Sequence, residues 1–306
     1  MRAKALRVPT ALAQHPDRTL DGGAALLLAE LAMRISCGSD DACRVVTRQE
    51  LQVIVAAVRP AVTTGAAEDG VLLARRLWAT AEAIGLDADC ADELAAAGAA
   101  AAAAARDPQS LGELLRSTSL WFQQHGDLIK AEKWATSEWE VWRRLGQTSL
   151  MAECLWRRAD MFVVRGRGER ELGCYERLES LYQGSDASAR ADLVRVVAAK
   201  GIALLAYGNV EAGLVLLSRA DKMVRTSPDF PPVEQAAVVE WTGRALWACG
   251  KTGTARRRFV AALALLVDHD DTAADRVRQL LAHDQSSELL PMSAPSRRLS
   301  GLGSQQ

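Results

Sequence analysis

The chain has no uninterrupted apolar run of about 18 residues, which excludes a membrane-spanning helix. It has almost no net charge. Its 37 Lys and Arg stand against 38 Asp and Glu, giving −1, whereas a general nucleic-acid binder usually carries a basic excess. None of its six cysteines (Cys37, Cys43, Cys90, Cys154, Cys174, Cys249) forms a C-x-x-C pair. No Cys/His cluster has zinc-site spacing, so no metal or cofactor is expected. The four histidines, His15, His125, His269 and His283, are scattered and compose no triad. A phosphate-binding glycine loop, a dinucleotide fingerprint and a nucleophile elbow are all missing. Strand signals are nearly absent. Arg2, Lys4 and Arg7 are followed by Gln14, His15, Asp17 and Arg18 rather than by an apolar secretion core. A cytoplasmic location is expected.

What is present is globular. Hydrophobic residues make up 49% and charged residues 25% of the 306 positions, enough for a sizeable core. Ala and Leu dominate, and Arg and Glu fill polar positions; these are good helix formers. The run Ala99–Ala105 reads as a helical spacer or thinly packed segment. Capping signals punctuate the chain. Ser110-Leu-Gly-Glu113 and Thr47-Arg-Gln-Glu50 match the capping box, with Pro60 closing the helix that the second one opens. Pro231-Pro232 suits a first helical turn. Asp270-Asp271 offers an N-cap and negative charge to the helix that follows.

An internal repeat carries the main argument. Gly85, Gly126, Gly166, Gly208 and Gly250 are separated by 41, 40, 42 and 42 residues. An apolar-periodic helix precedes each glycine, and a short polar turn and a second helix follow it. Each unit therefore predicts a helical hairpin whose first helix ends on a left-handed glycine. Seven residues before the glycines stand Trp78, Ser119, Ala159, Gly201 and Gly243, mostly small. Five after them stand Cys90, Ala131, Glu171, Gly213 and Ala255, again mostly small. Small residues let paired helices approach. Large ones, such as Phe122 and Phe162 four before and Leu94, Tyr175, Leu217 and Phe259 nine after, fill the space between hairpins. One hairpin cannot bury its apolar face, so stacking is required.

The segments His125-Gly-Asp-Leu-Ile-Lys-Ala131, Tyr207-Gly-Asn-Val-Glu-Ala212 and Gly250-Lys-Thr-Gly-Thr-Ala255, with Phe259 and Ala262, resemble the turn and second helix of tetratricopeptide repeats. The resemblance spans about residues 71–267. The period is longer than the family's usual length of about 34 residues, and the proline that closes each family repeat is missing. Longer hairpins of this kind resemble helical-repeat sensor regions of large bacterial transcription regulators. The expected fold is all-α, a right-handed α-solenoid of about five hairpins with N-terminal capping helices; an α/α toroid or an irregular bundle is the rival. The expected organisation is a disordered segment 1–20, a helical cap 21–66, repeats 67–267, a closing helix 268–284 and a disordered tail 285–306.

In tetratricopeptide stacks the first helices line the concave face. The resemblance implies a partner site at Arg75, Ala79 and Glu82, at Arg116, Leu120 and Gln123, and at Trp156, Asp160 and Val163. It continues through Ala198, Ile202 and Leu205 to Glu240, Arg244 and Trp247. Such a groove suits an extended or helical peptide with a carboxylate and an apolar anchor; Trp156 and Trp247 read more readily as inter-repeat core. Trp134, Trp139 and Trp142 lie among charges at 130–144, either as a homodimer or ligand surface or as a helix packed on both sides.

Other chemistry is weaker. Asp268-His-Asp-Asp-Thr-Ala273 matches the D-x-D-D-T-A motif of class II terpenoid cyclases, which would make Asp268, Asp270 and Asp271 proton-donor candidates. The Gln/Trp/Gly-rich repeats that accompany that motif are missing. Asp87, Asp89, Asp92 and Glu93 are candidates for a divalent cation or for a helix first turn. Arg256–Arg258 reads as a solvated face. The expected function is a non-enzymatic scaffold or sensor for a protein or peptide, without nucleic-acid or membrane binding of its own. A terpenoid-cyclase-like enzyme and a regulator of a bacterial transcription factor or biosynthetic enzyme are the alternatives.

Overall fold

The computed structural model describes residues 65–79, 81–82, 85–183, 187–226 and 230–283, together with Val55 and Val58. The expected N-terminal segment, the cap apart from Val55, Val58, Gly65 and Ala66, the Thr47 capping box, Cys37, Cys43 and the expected tail beyond Asp284 lie outside the described residues. Among the described residues stand eleven helices and no strand. They are α1 (Ala67–Ala79), α2 (Ala88–Ala104), α3 (Pro108–Gln124), α4 (Leu128–Leu145), α5 (Thr148–Val164), α6 (Gly168–Tyr182), α7 (Ala187–Ala206), α8 (Val210–Arg225), α9 (Pro232–Ala248), α10 (Thr252–Leu266) and α11 (Asp271–His283). Helices α1 to α4 pack consecutively, and so do α6 to α11, the arrangement of an all-α solenoid. The chain divides into two compact units between Cys154 and Leu155, within α5.

The hairpin turns have a common chemistry. Gly85, Gly126, Gly166, Gly208 and Gly250 all adopt positive φ, between 63° and 81°. The amide after four of them reaches back to the carbonyl four residues before the glycine: Leu86 to Ala81, Arg167 to Phe162, Asn209 to Leu204 and Lys251 to Leu246, at 2.9–3.0 Å. This closes the last helical turn and satisfies a carbonyl that would otherwise be orphaned. Aspartates then open two of the second helices, α2 and α4. Asp87 Oδ1 accepts from the Cys90 amide at 2.8 Å, and Asp127 Oδ1 from Lys130 at 3.0 Å.

One sequence expectation is corrected. Helix α3 begins at Pro108, not after Ser110. Asp107 is its cap, accepting the Ser110 amide at 3.0 Å. Proline at the first helical position needs no amide partner, so Asp107-Pro108 outcompetes the capping box, and Ser110 is buried inside the helix. The alanine run forms the end of α2 as far as Ala104, with two of its residues buried. Ala101 and Ala102 are buried, and a Cβ on Gly98 would meet Ala74 of α1 at 3.0 Å and Leu114 of α3 at 3.4 Å. Small residues here let α2 lie close to both neighbours.

In the N-terminal unit, α1 packs on α2 and α3, and α3 on α2 and α4. Phe122, Ala131, Ala135 and Trp142 are fully buried. Gly112 makes room for Trp142: a Cβ there would stand 2.4 Å from the indole. The Trp142 Nε1–H donates to the buried Glu138 carboxylate at 3.1 Å. In the C-terminal unit, α6 to α11 pack consecutively and α7 also meets α9. Val194, Val197, Ala198, Ile202 and Leu205 of α7 join Leu217, Phe230, Val238 and Ala245 in one core. Phe259, Ala262, Ala274 and Val277 form the next, against which α11 closes.

Candidate functional site

The first helices of the N-terminal unit carry a surface row of alternating charge. Arg75 on α1 pairs with Glu113 on α3 at 2.8 Å. One turn further along α3, Arg116 pairs with Glu153 on α5 at 2.5 Å. All four side chains stay between 38% and 52% exposed, so both pairs face water. The repeat explains the row: each arginine lies ten residues before its glycine and each glutamate thirteen before the next one. Leu72 and Ala79 are exposed beside Arg75, and Leu120 and Gln123 are half-buried beside Arg116. The Gln123 Oε1 is buried without a hydrogen-bond partner.

The equivalent row in the C-terminal unit is drawn inward. Arg195 on α7 makes a two-pronged bond to Glu234 on α9, at 2.6 and 2.8 Å. Hydrogen bonding to Glu234 raises the guanidinium pKa against the opposing cost of burial. Glu240 is 2% exposed and takes two guanidiniums: Arg244 of its own helix at 2.8 Å and Arg276 of α11 at 2.8 Å. Hydrogen bonding to Glu240 likewise raises the Arg276 pKa. Arg244 is 12% exposed and lies over the Trp241 ring at 5.0 Å.

The second helices have rungs of their own. Lys130 on α4 reaches Asp92 on α2 at 2.5 Å, which raises the lysine pKa. In the C-terminal unit, Arg219 on α8 reaches Glu179 on α6 at 2.7 Å, and Arg258 on α10 reaches Asp221 on α8 at 3.1 Å. Tyr207 donates to the buried Glu171, which Tyr175 also meets at 3.2 Å.

The expected partner residues are therefore distributed unevenly. Arg75, Arg116 and Gln123 share the open row of the N-terminal unit. In the C-terminal unit, Trp156 and Asp160 are half-buried, and Trp156 sets its edge on Tyr175 at 5.6 Å. Trp247 is half-buried against Phe259 at 6.0 Å. Ala198, Ile202 and Leu205 are core, not groove, because α7 is apolar on the side that faces α9. Glu240 is interior and already doubly paired. Glu113, Glu153, Arg195, Glu234 and Arg276 were not anticipated; aligning the repeats on their glycines would have revealed the first two.

Asp270 Oδ1 accepts the Ala273 amide at 2.9 Å and caps α11, while Asp268 and Asp271 are exposed beside it. Asp87 and Asp92 are engaged as cap and ion-pair partner. Among the described residues no cluster of His, Cys, Asp or Glu is arranged to hold a metal ion, and no helix is long and apolar enough to cross a membrane.

No protein-family model matches the chain, and no curated protein matches it. Solved structures do. Aspartyl phosphate phosphatase F from Bacillus subtilis is similar at 11% identity, with a TM-score of 0.52, over 92% of this chain and 80% of that one. BtubC from P. vanneervenii matches at 16% identity and a TM-score of 0.45 over 92% and 95% of the two chains. The first likeness supports the helical-repeat fold and nothing about activity.

Proposed function

We propose that the chain is a non-enzymatic, tetratricopeptide-like scaffold whose first-helix face in the N-terminal unit binds an extended or helical peptide. The observation that carries this reading is the open row Arg75–Glu113 and Arg116–Glu153. Solvent-exposed ion pairs contribute about 0–1 kcal/mol each. A partner carboxylate can therefore exchange with Glu113 or Glu153 at little cost while keeping the guanidinium satisfied. Leu72 and Leu120 offer apolar contact beside the charges. Trp156 and Asp160 provide a contact of their own in the C-terminal unit. Glu240 and Arg244 act there as a lock between helices. A regulator of a transcription factor or biosynthetic enzyme is the case in which the bound partner is that protein.

Reversing both Arg75→Glu and Arg116→Glu tests the reading. Binding of a partner purified from the source cells, measured by titration calorimetry, should weaken at least tenfold with unchanged helical content. Unchanged affinity would overturn the assignment of this face.

A further inference from the structure

A second charged surface lies on the other set of helices. Helix α8 carries Arg219, Lys222 and Arg225, and α10 is preceded by Lys251 and carries Arg256–Arg258. Against these seven cations the same two segments hold only Glu211 and Asp221. In a chain of net charge −1 this is a concentrated excess. Asp221 does not offset it outward. It is 3% exposed and is shared by Arg225 and by Arg258 at 3.1 Å, so one buried carboxylate answers two guanidiniums. That shared carboxylate joins the two helices and sets their cations side by side. Lys222 is exposed and makes no ion pair among the described residues. Glu179 and Glu176 of α6 bound the patch on one side, where Arg219 and Lys200 meet them. Val215 and Val260 stand 67% and 54% exposed on the same two helices, and helical spacing puts Val215, Arg219 and Lys222 on one stripe.

We infer that the α8–α10 surface docks an acidic protein segment: carboxylates meet Lys222, Arg257 and their neighbours while an apolar side chain covers Val215 or Val260. The charge excess sets the sign of the partner, and the two valines favour an amphipathic segment over a purely ionic one. This surface is distinct from the Arg75–Arg116 row, so the two can be disabled separately.

The test titrates the full chain with a fluorescein-labelled peptide of ten glutamates and two leucines. The proposal expects saturable binding that weakens at least tenfold between low and high salt, as screened charge requires. Binding should weaken at least tenfold more in the Lys222→Glu, Arg257→Glu double variant and persist in an Arg144→Glu control on α4. Both substituted side chains are at the surface, and circular dichroism of the double variant should match the parent. Absence of binding, equal binding by the double variant, or tighter binding to duplex DNA or to vesicles of one-third phosphatidylserine would overturn the proposal. So would a salt-sensitive homodimer that the double variant abolishes, which would make a second copy of the chain the occupant.

Discussion

Gly201 on α7 and Gly213 on α8 meet backbone to backbone. A Cβ on Gly213 would stand 2.8 Å from the Gly201 carbonyl oxygen, and a Cβ on Gly201 would stand 3.1 Å from that of Gly213. These are the small positions seven before and five after the hairpin glycine. The same pair in another hairpin is Ser119 and Ala131, where the Ser119 hydroxyl donates to the Ala131 carbonyl at 3.0 Å. In the last hairpin Gly243 instead makes space for Phe259, whose ring a Cβ would meet at 2.7 Å. Closeness here is a backbone property, and no rotamer change relieves it.

Gly213→Ala should therefore destabilise the protein by about 1–3 kcal/mol through overpacking. Gly173→Ala, in the middle of α6 with nothing within 4 Å of its Cβ position, should stabilise it by about 0.5–1 kcal/mol. Urea denaturation of both variants checks this. Equal effects would mean that the close approach does not set the hairpin geometry.

Asp107 gives a pH signature. The hydrogen bonds it receives from Ser110 hold its carboxyl below the ordinary value of 3.8. A depressed carboxylate stabilises fully above its unfolded-state pKa, and the contribution is lost as pH falls through the folded-state pKa. Asp107→Ala should cost about 1 kcal/mol at neutral pH. The difference from the parent should shrink once pH falls below about 4, the unfolded carboxyl value. Denaturation measured at neutral pH and at progressively lower pH would show the gap closing; a gap that widens on acidification would contradict the capping account.

The exposed and interior ion pairs should behave differently. Arg75→Ala breaks a surface pair and should change stability by no more than about 1 kcal/mol. Glu240→Ala leaves Arg244, only 12% exposed, beside an emptied site and should cost about 3 kcal/mol or more. Arg276 is 42% exposed and can turn to water, which limits its share of the loss. Thermal unfolding of both variants separates a surface row that is free to exchange partners from an interior lock.

Much of the hairpin pattern was legible because glycine in the left-handed region is a local requirement. Each of the five glycines can be read without knowing what packs around it. The small residues flanking them were legible for the same reason. Other features depended on competition or on distant neighbours. Arg106, at φ 55°, replaces glycine in the turn after α2, a position where sequence gives no warning. The Ser110 pattern lost to Asp107-Pro108 because a fixed proline dihedral and a charged cap act together. Of the positions the resemblance named, Arg75 and Arg116 stand at the surface, whereas Ala198, Ile202 and Leu205 are core. There α7 turns apolar residues toward α9, and Arg195 makes the rung one helical turn earlier. Only tertiary packing decides which of two adjacent turns meets water.

The most direct measurement is photocrosslinking from benzoylphenylalanine placed at Leu120, beside Arg116, in the protein's source cells. A scaffold that uses this face should yield one dominant crosslinked protein, and its band should vanish when Arg75 and Arg116 are both reversed to Glu. Absence of any protein adduct, or an adduct indifferent to those reversals, would contradict the account.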